Sequence, residues 1–157
     1  MTNRGKLGRK LKFGQVGGGR GSFIGETHRR SAAWNGLAEF TAGALASTPE
    51  AARQSGEELL LPPERNYGTW REMLERESAL PEGERIDFVS IVTPNHVHYE
   101  PALAFVETGF NVIVEKPMAL NLEQAQKMIE TSKRTGQVLI AGHPRSFIPP
   151  FRKMYNI

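Results

Sequence analysis

A short apolar run, Phe13-Gly14-Gln15-Val16, passes directly into Gly17-Gly18-Gly19-Arg20-Gly21-Ser22, and few folds accept that junction. A glycine-rich stretch between a strand and a helix lets the chain turn tightly. It also presents backbone N–H groups and a helix N-terminus to an anion. Gly17 suits the tight turn, and Gly19 suits the close approach of a pyrophosphate. The third glycine of a G-x-G-x-x-G pattern is replaced by Ser22, and Gly25 follows one turn later. Alone, such a loop is equally a flexible turn; its place between a strand and a helix favours a dinucleotide.

The rest of the chain alternates short apolar runs with amphipathic segments, the pattern of βαβ units around a parallel sheet. Strands are expected over Leu11–Val16, Phe40–Leu45, Phe88–Val92, Asn111–Val114 and Val138–Ala141. The run Phe88-Val89-Ser90-Ile91-Val92 is almost continuously apolar, as a central parallel strand is. Helices are expected from Ser22 to about Trp34, from Thr48-Pro49-Glu50 to near Gly56, over Trp70–Arg76 behind Thr69, over Pro101–Thr108, and from Asn121 to Thr135. Thr48, Thr69 and Asn121 are capping residues, Gln124 completes a capping-box pattern, and Gly136 is a C-terminal stop. The predicted fold is α/β: a doubly wound parallel sheet of the Rossmann type, with helices on both faces.

Composition narrows the function classes. A length of 157 residues fits one domain with a single core. No apolar stretch approaches the roughly 20 residues that span a bilayer, so no membrane partner is expected. The net charge is +3, with Arg4, Lys6, Arg9, Lys10 and Lys12 clustered ahead of the first acid, Glu26; the remainder carries −2. That start reads as a solvated, frayed tail. A nucleic-acid arm would carry interleaved aromatics, so no nucleic-acid partner is expected. No apolar core of a secretory signal follows it. The absence of cysteine excludes disulfide scaffolds and thiolate metal sites and makes the cytoplasm the expected location.

Three further motifs follow apolar strands. Glu115-Lys116-Pro117 stands after Asn111-Val112-Ile113-Val114, at the sheet edge where open α/β folds bind ligands. Beside a cationic nicotinamide the Lys116 amine suits proton exchange with a substrate hydroxyl; the plain alternative is a surface lysine paired with Glu115. Thr93-Pro94-Asn95-His96-Val97-His98 follows the most apolar strand. Thr93 and Asn95 offer hydrogen bonds to ribose or nicotinamide, and Pro94 stiffens the crossing. His96 and His98 lack a nearby carboxylate or cysteine, so no metal is expected. Gly142-His143-Pro144-Arg145-Ser146-Phe147 follows the last strand and is either a closing loop or a plain exit. The second strand ends Ala44-Leu45-Ala46-Ser47-Thr48, without an acid before Glu50. Small hydroxyl residues accept a ribose 2′-phosphate that an acid would repel, which gives a slight lean from NAD to NADP.

Together Val16 to Gly25, Thr93 to His98, Glu115-Lys116-Pro117 and Gly142 to Phe147 make the chain resemble the glucose–fructose oxidoreductase/inositol dehydrogenase (Gfo/Idh/MocA) family over about residues 12 to 155. The resemblance implies an NAD(P)-dependent oxidoreductase with hydride transfer between nicotinamide and a secondary hydroxyl of a sugar, inositol or related polyol. It implies Lys116 as the catalytic residue. The candidate cofactor-binding residues are Gly17, Gly19, Gly21, Ser22, Phe23, Ile24, Ala46, Ser47, Thr93, Pro94, Asn95, His98, Glu115, Lys116 and Pro117. His143 and Arg145 are substrate-side candidates. The family continues with a second α/β domain that binds the substrate, and the resemblance implies that these 157 residues stop short of it. The expected organisation is therefore a basic flexible tail over 1–11, an NAD(P)-binding domain over 12–148 and, over 149–157, the start of a truncated continuation. Such a fragment is expected to bind dinucleotide, to lack turnover by itself and to self-associate through the bared surface. The alternatives are a non-catalytic dinucleotide-binding module or defective remnant, and a methyltransferase-like domain in which Glu115-Lys116-Pro117 has no natural role.

Overall fold

The computed structural model describes residues 8–143. Five strands alternate with helices: β1 (Leu11–Val16), α1 (Phe23–Ala33), β2 (Ala38–Ala44), α2 (Pro49–Glu58), α3 (Trp70–Ser78), β3 (Phe88–Ile91), α4 (Tyr99–Glu107), β4 (Asn111–Glu115), α5 (Leu122–Thr135) and β5 (Leu139–Gly142). Every neighbouring pair is parallel, and the order across the sheet is β2-β1-β3-β4-β5. The order reverses at β1, with β2 on one side and β3 on the other, and the crevice above such a reversal is where ligands enter. Right-handed crossovers place α1 on one face and α3, α4 and α5 on the other.

Strand alternation divides the side chains accordingly. Val89, Ile91, Val112 and Val114 pack with Phe105, Phe110 and Met128 in the core beneath α4 and α5. Phe88, Ser90, Ile113 and Glu115 turn towards α1, where Phe88 stacks on the fully buried Phe13. That second face is covered less completely: Ile140 of β5 remains 43% exposed and Ile24 of α1 37%.

The capping residues read from the sequence do what their chemistry allows. Ser22, Thr48, Thr69 and Asn121 each accept from the N–H three residues on. Gly136 ends α5 with a left-handed φ of 73°. The Gln124 side chain accepts from Leu120 N rather than from the cap itself. Several boundaries differ from expectation. β2 begins at Ala38, because pairing with β1 starts at Leu11↔Ala38 and continues through a register shift at Phe13/Gly14. α4 begins at Tyr99, and Pro101 is tolerated there because first-turn N–H groups need no helical partner. Short 3₁₀ turns over Pro63–Arg65 and Asn95–Val97 had no sequence signal.

Sequence places residues 1–11 in a basic tail, but Arg9 and Leu11 are bonded into the fold. Leu11 opens β1, and Arg9 makes a two-pronged pair with Asp87 at 2.7 and 2.8 Å, while Lys12 N donates to the same carboxylate at 2.7 Å. These bonds tie the entry of β1 to the entry of β3. Burial pushes the Asp87 carboxyl up, but the Arg9 bonds, the Lys12 amide and both cations outweigh it and hold the group below its ordinary value. A carboxylate depressed in the folded state stabilises above its unfolded pKa, and that stability is lost as pH falls through the folded value. Asp87→Asn should therefore lower the urea midpoint at neutral pH. The gap to the parent should close as pH drops from about 4, and a gap independent of pH would refute this account.

Candidate functional site

Register sets the site. Val16, Ile91 and Val114 are Cα partners across β1, β3 and β4, and Glu115 is level with Gly142 of β5. The glycine loop, the loop beginning at Val92 and Thr93, and Lys116 therefore leave the sheet at one edge. Lys116 lies two strand spacings from β1, about 10 Å.

The glycine loop is held from within. Gly17 has φ +77°, a conformation that resists side chains. Gln15, fully buried, donates from Nε2 to Gly17 O at 2.9 Å and to Gly18 O at 3.2 Å. Arg29 of α1 also donates to Gly18 O, at 2.8 Å. Burial lowers the Arg29 guanidinium from its ordinary value, with Glu26 acting against that shift; an arginine keeps its proton regardless. The glycine that allows close helix packing is Gly25, whose missing side chain would strike Gly18 O and Gly18 C. Ser22, at the expected third glycine, is instead the cap of α1. At Gly19 the direction of a side chain is filled by protein, Leu45 O and Ser55 Oγ both at 2.6 Å from a Cβ placed there. A side chain at Gly19 would collide with the residue that follows β2 and with α2, so packing alone already calls for glycine there.

A cleft of about 570 Å³ opens beside the loop, walled by Gly17, Gly18, Ala46, Ser47, Trp70, Thr93 and their neighbours. Its lining joins the ends of β1, β2 and β3 to the N-terminus of α3. Of the candidate residues, Gly17, Ala46, Ser47, Thr93 and Pro94 line this cleft. Gly19, Gly21, Ser22 and Phe23 line a second hollow on the other side of the loop, of about 540 Å³. Asn95 is exposed in its short turn, and Lys116 and Pro117 are exposed just past β4. Thr93 Oγ1 is buried without a hydrogen-bond partner in the protein, so one wall of the main cleft holds a polar atom with spare capacity. Backbone amides, small side chains and that hydroxyl fit a dinucleotide. Among the described residues no group of three or more His, Cys, Asp and Glu could hold a metal ion.

His98 does not face the cleft. It is fully buried, with Nδ1 2.8 Å from Pro117 O and Nε2 2.8 Å from Thr93 O. Its ring bridges the Thr93 loop to the loop that carries Lys116, where the Lys116–Pro117 peptide is cis. Ile24, Glu115 and His143 line a separate hollow on the α1 face. Arg145 lies outside the described residues.

Sequence reasoning missed His28. Its Nε2 lies 2.9 Å from Glu115 Oε1 and its Nδ1 2.7 Å from Ser90 Oγ. A carboxylate only accepts, so Nε2–H donates to Glu115 and Nδ1 accepts from the Ser90 hydroxyl. Glu115 Oε2 in turn accepts from Lys116 N at 3.2 Å. The helix that follows the glycine loop is thereby bonded to the strand end carrying Lys116. The only signal was a histidine one turn beyond Gly25 in an amphipathic helix, which by itself has no distinctive chemistry.

The comparisons agree with this geometry. The GFO_IDH_MocA family, described as "Oxidoreductase family, NAD-binding Rossmann fold", matches residues 11–143. The uncharacterized oxidoreductase YfiI of Bacillus subtilis is 34% identical over 134 residues, 85% of this chain and 34% of that protein. The scyllo-inositol 2-dehydrogenase (NADP(+)) IolU of the same organism is 37% identical over 68 residues, 43% of this chain and 21% of that one. An inositol dehydrogenase homolog from Azotobacter vinelandii, solved with NADH and myo-inositol, superposes with a TM-score of 0.83 at 33% identity, over 88% of this chain and 36% of the other. The chain spans about a third of the length of YfiI and of the Azotobacter protein.

His28→Leu should leave the Glu115 carboxyl and the Ser90 hydroxyl without their partner, destabilising the fold by about 1–3 kcal/mol. Adding Glu115→Gln should recover part of that loss. Chemical denaturation measures both, and a single variant as stable as the parent would remove the network from the account.

Proposed function

We propose that this chain, which belongs to the GFO_IDH_MocA oxidoreductase family with its NAD-binding Rossmann fold, is the cofactor-binding part of an NAD(P)-dependent dehydrogenase acting on a secondary hydroxyl of a sugar, inositol or related polyol. The reading rests chiefly on the convergence of the glycine loop, the Thr93 loop and Lys116 on one sheet edge. The substrate class is supported by the inositol named for two relatives, and it belongs to the protein as a whole. The bound nicotinamide supplies the acceptor for the hydride leaving the carbinol carbon.

This chain's residues do the rest. Gly17 and Gly18 bring backbone to the phosphates beside the α1 N-terminus, where the helix dipole favours negative charge. Ala46 and Ser47 border the adenosine ribose, and the absence of an acid there favours NADP(H) over NAD(H). Thr93 Oγ1 takes a hydrogen bond at the nicotinamide half. Lys116 accepts the hydroxyl proton as the alcohol becomes a carbonyl, and Glu115 and Pro117 orient it. His143 stands on the substrate side. We place the reaction in the cytoplasm, where a chain without cysteine loses nothing to a reducing environment.

Among the described residues no helix is long and apolar enough to cross a membrane. The test is titration with NADH and NADPH, read by energy transfer from Trp70 in the cleft wall. Binding is expected, and its absence would overturn the reading. Thr93→Val should weaken binding by about 2–10-fold without lowering stability, because in the free protein the hydroxyl has no partner to lose. In the protein that carries this domain, Lys116→Met should remove turnover while leaving dinucleotide binding in place.

A further inference from the structure

The main cleft has a marked electrostatic character. No carboxylate is among its lining residues; the basic side chains there are Arg71 and His96, and hydroxyls come from Ser47, Thr69 and Thr93. Arg71 stands in the first turn of α3, opposite the end of β2, where dinucleotide folds place the adenosine ribose. Its guanidinium carbon lies 4.2 Å from the centroid of the Trp70 ring, a stack that orients the planar fork. Its remaining engagement is with Glu100 Oε2 at 3.0 Å, an ion pair in which both side chains are 68% exposed. Exposed pairs of this kind contribute little, so an anion in the cleft displaces Glu100 at small cost while the Trp70 stack persists. Arginine is suited to such an exchange because its fork binds phosphate through two parallel hydrogen bonds.

We propose that Arg71 is the residue that reads the 2′ position of the adenosine ribose, exchanging Glu100 for a 2′-phosphate and thereby selecting NADP(H) over NAD(H). This rests on the dinucleotide reading and adds to it the determinant of cofactor choice. The exchange is non-covalent: Glu100 is released to solvent, and the phosphate takes its hydrogen bonds.

The experiment titrates the 157-residue chain, Arg71→Gln and Glu100→Gln with NADH, NADPH, 5′-AMP and 2′,5′-ADP by calorimetry, with circular dichroism confirming the fold. The parent should bind NADPH more tightly than NADH. Arg71→Gln should weaken NADPH and 2′,5′-ADP by about tenfold or more, as loss of charge-assisted hydrogen bonds does, and leave NADH and 5′-AMP nearly unchanged. Glu100→Gln should tighten NADPH, because its competitor for Arg71 is gone. If Arg71→Gln weakens all four probes alike, Arg71 is only part of the adenosine wall and the proposal is overturned. A parent that prefers NADH overturns it as well, with the dinucleotide reading left standing. Failure of every probe to bind the parent overturns the dinucleotide reading and this proposal together.

Discussion

Helix α1 reaches the sheet only because Gly25 and Gly18 lack side chains where they meet. A methyl group at Gly25 would overlap the Gly18 carbonyl, and one at Gly18 would meet Gln15 and Val92. This contact sets the height of α1 above β1, and much of the site inherits its geometry from that height. Ser22 caps the helix at the mouth of the loop. Arg29 reaches back to Gly18 O while lying 5.7 Å from the Phe40 ring centroid. His28, on the same helix, arrives between Ser90 and Glu115. Tight packing of helix against strand thus determines the geometry of both the glycine loop and the far strand end.

Two buried carboxyl groups show how differently this fold treats acid. Glu77, fully buried in α3, receives both prongs of Arg65 at 2.7 Å, the Tyr67 hydroxyl at 2.8 Å and Ile86 N at 3.0 Å. Burial, reinforced by Glu77, pushes the Tyr67 hydroxyl well above its ordinary pKa. This network joins α3 and the connector before it to the entry of β3, away from the loop edge, and its work is structural. Glu115 has a single histidine and one backbone amide, and it stands next to Lys116. The first is saturated with donors and locks a connection. The second holds a strand end in orientation with fewer bonds, at the edge of the sheet from which the glycine loop also leaves.

The parts of the fold that could be read in advance were those encoded locally. Thr48, Thr69 and Asn121 act through neighbours three residues away, and the apolar runs of β3 and β4 announce buried parallel strands. The glycine loop and Glu115-Lys116-Pro117 were legible because short-range chemistry constrains them. What escaped was chemistry that exists only after folding. His28 and Glu115 are 87 positions apart, and no local pattern pairs them. His98 is a cofactor-facing candidate by its place in the loop after β3; the turn over Asn95–Val97 instead rotates it inward to two carbonyls. Trp70 and Arg71 read as an amphipathic helix start, and only the path of α3 past β2 makes them a cleft wall.

Gln15 has a consequence that reaches beyond packing. A peptide unit is planar and trans, so its carbonyl and the N–H that follows point in opposite directions. By drawing the Gly17 carbonyl towards itself, the Gln15 amide turns the N–H of Gly18 the other way. A neutral, buried side chain thereby sets the direction of a backbone dipole in the loop. Such a donor carries no titratable proton and no flexible stem. Its attraction for an anion is built into the backbone and does not switch off with pH, whatever the surrounding charged side chains do.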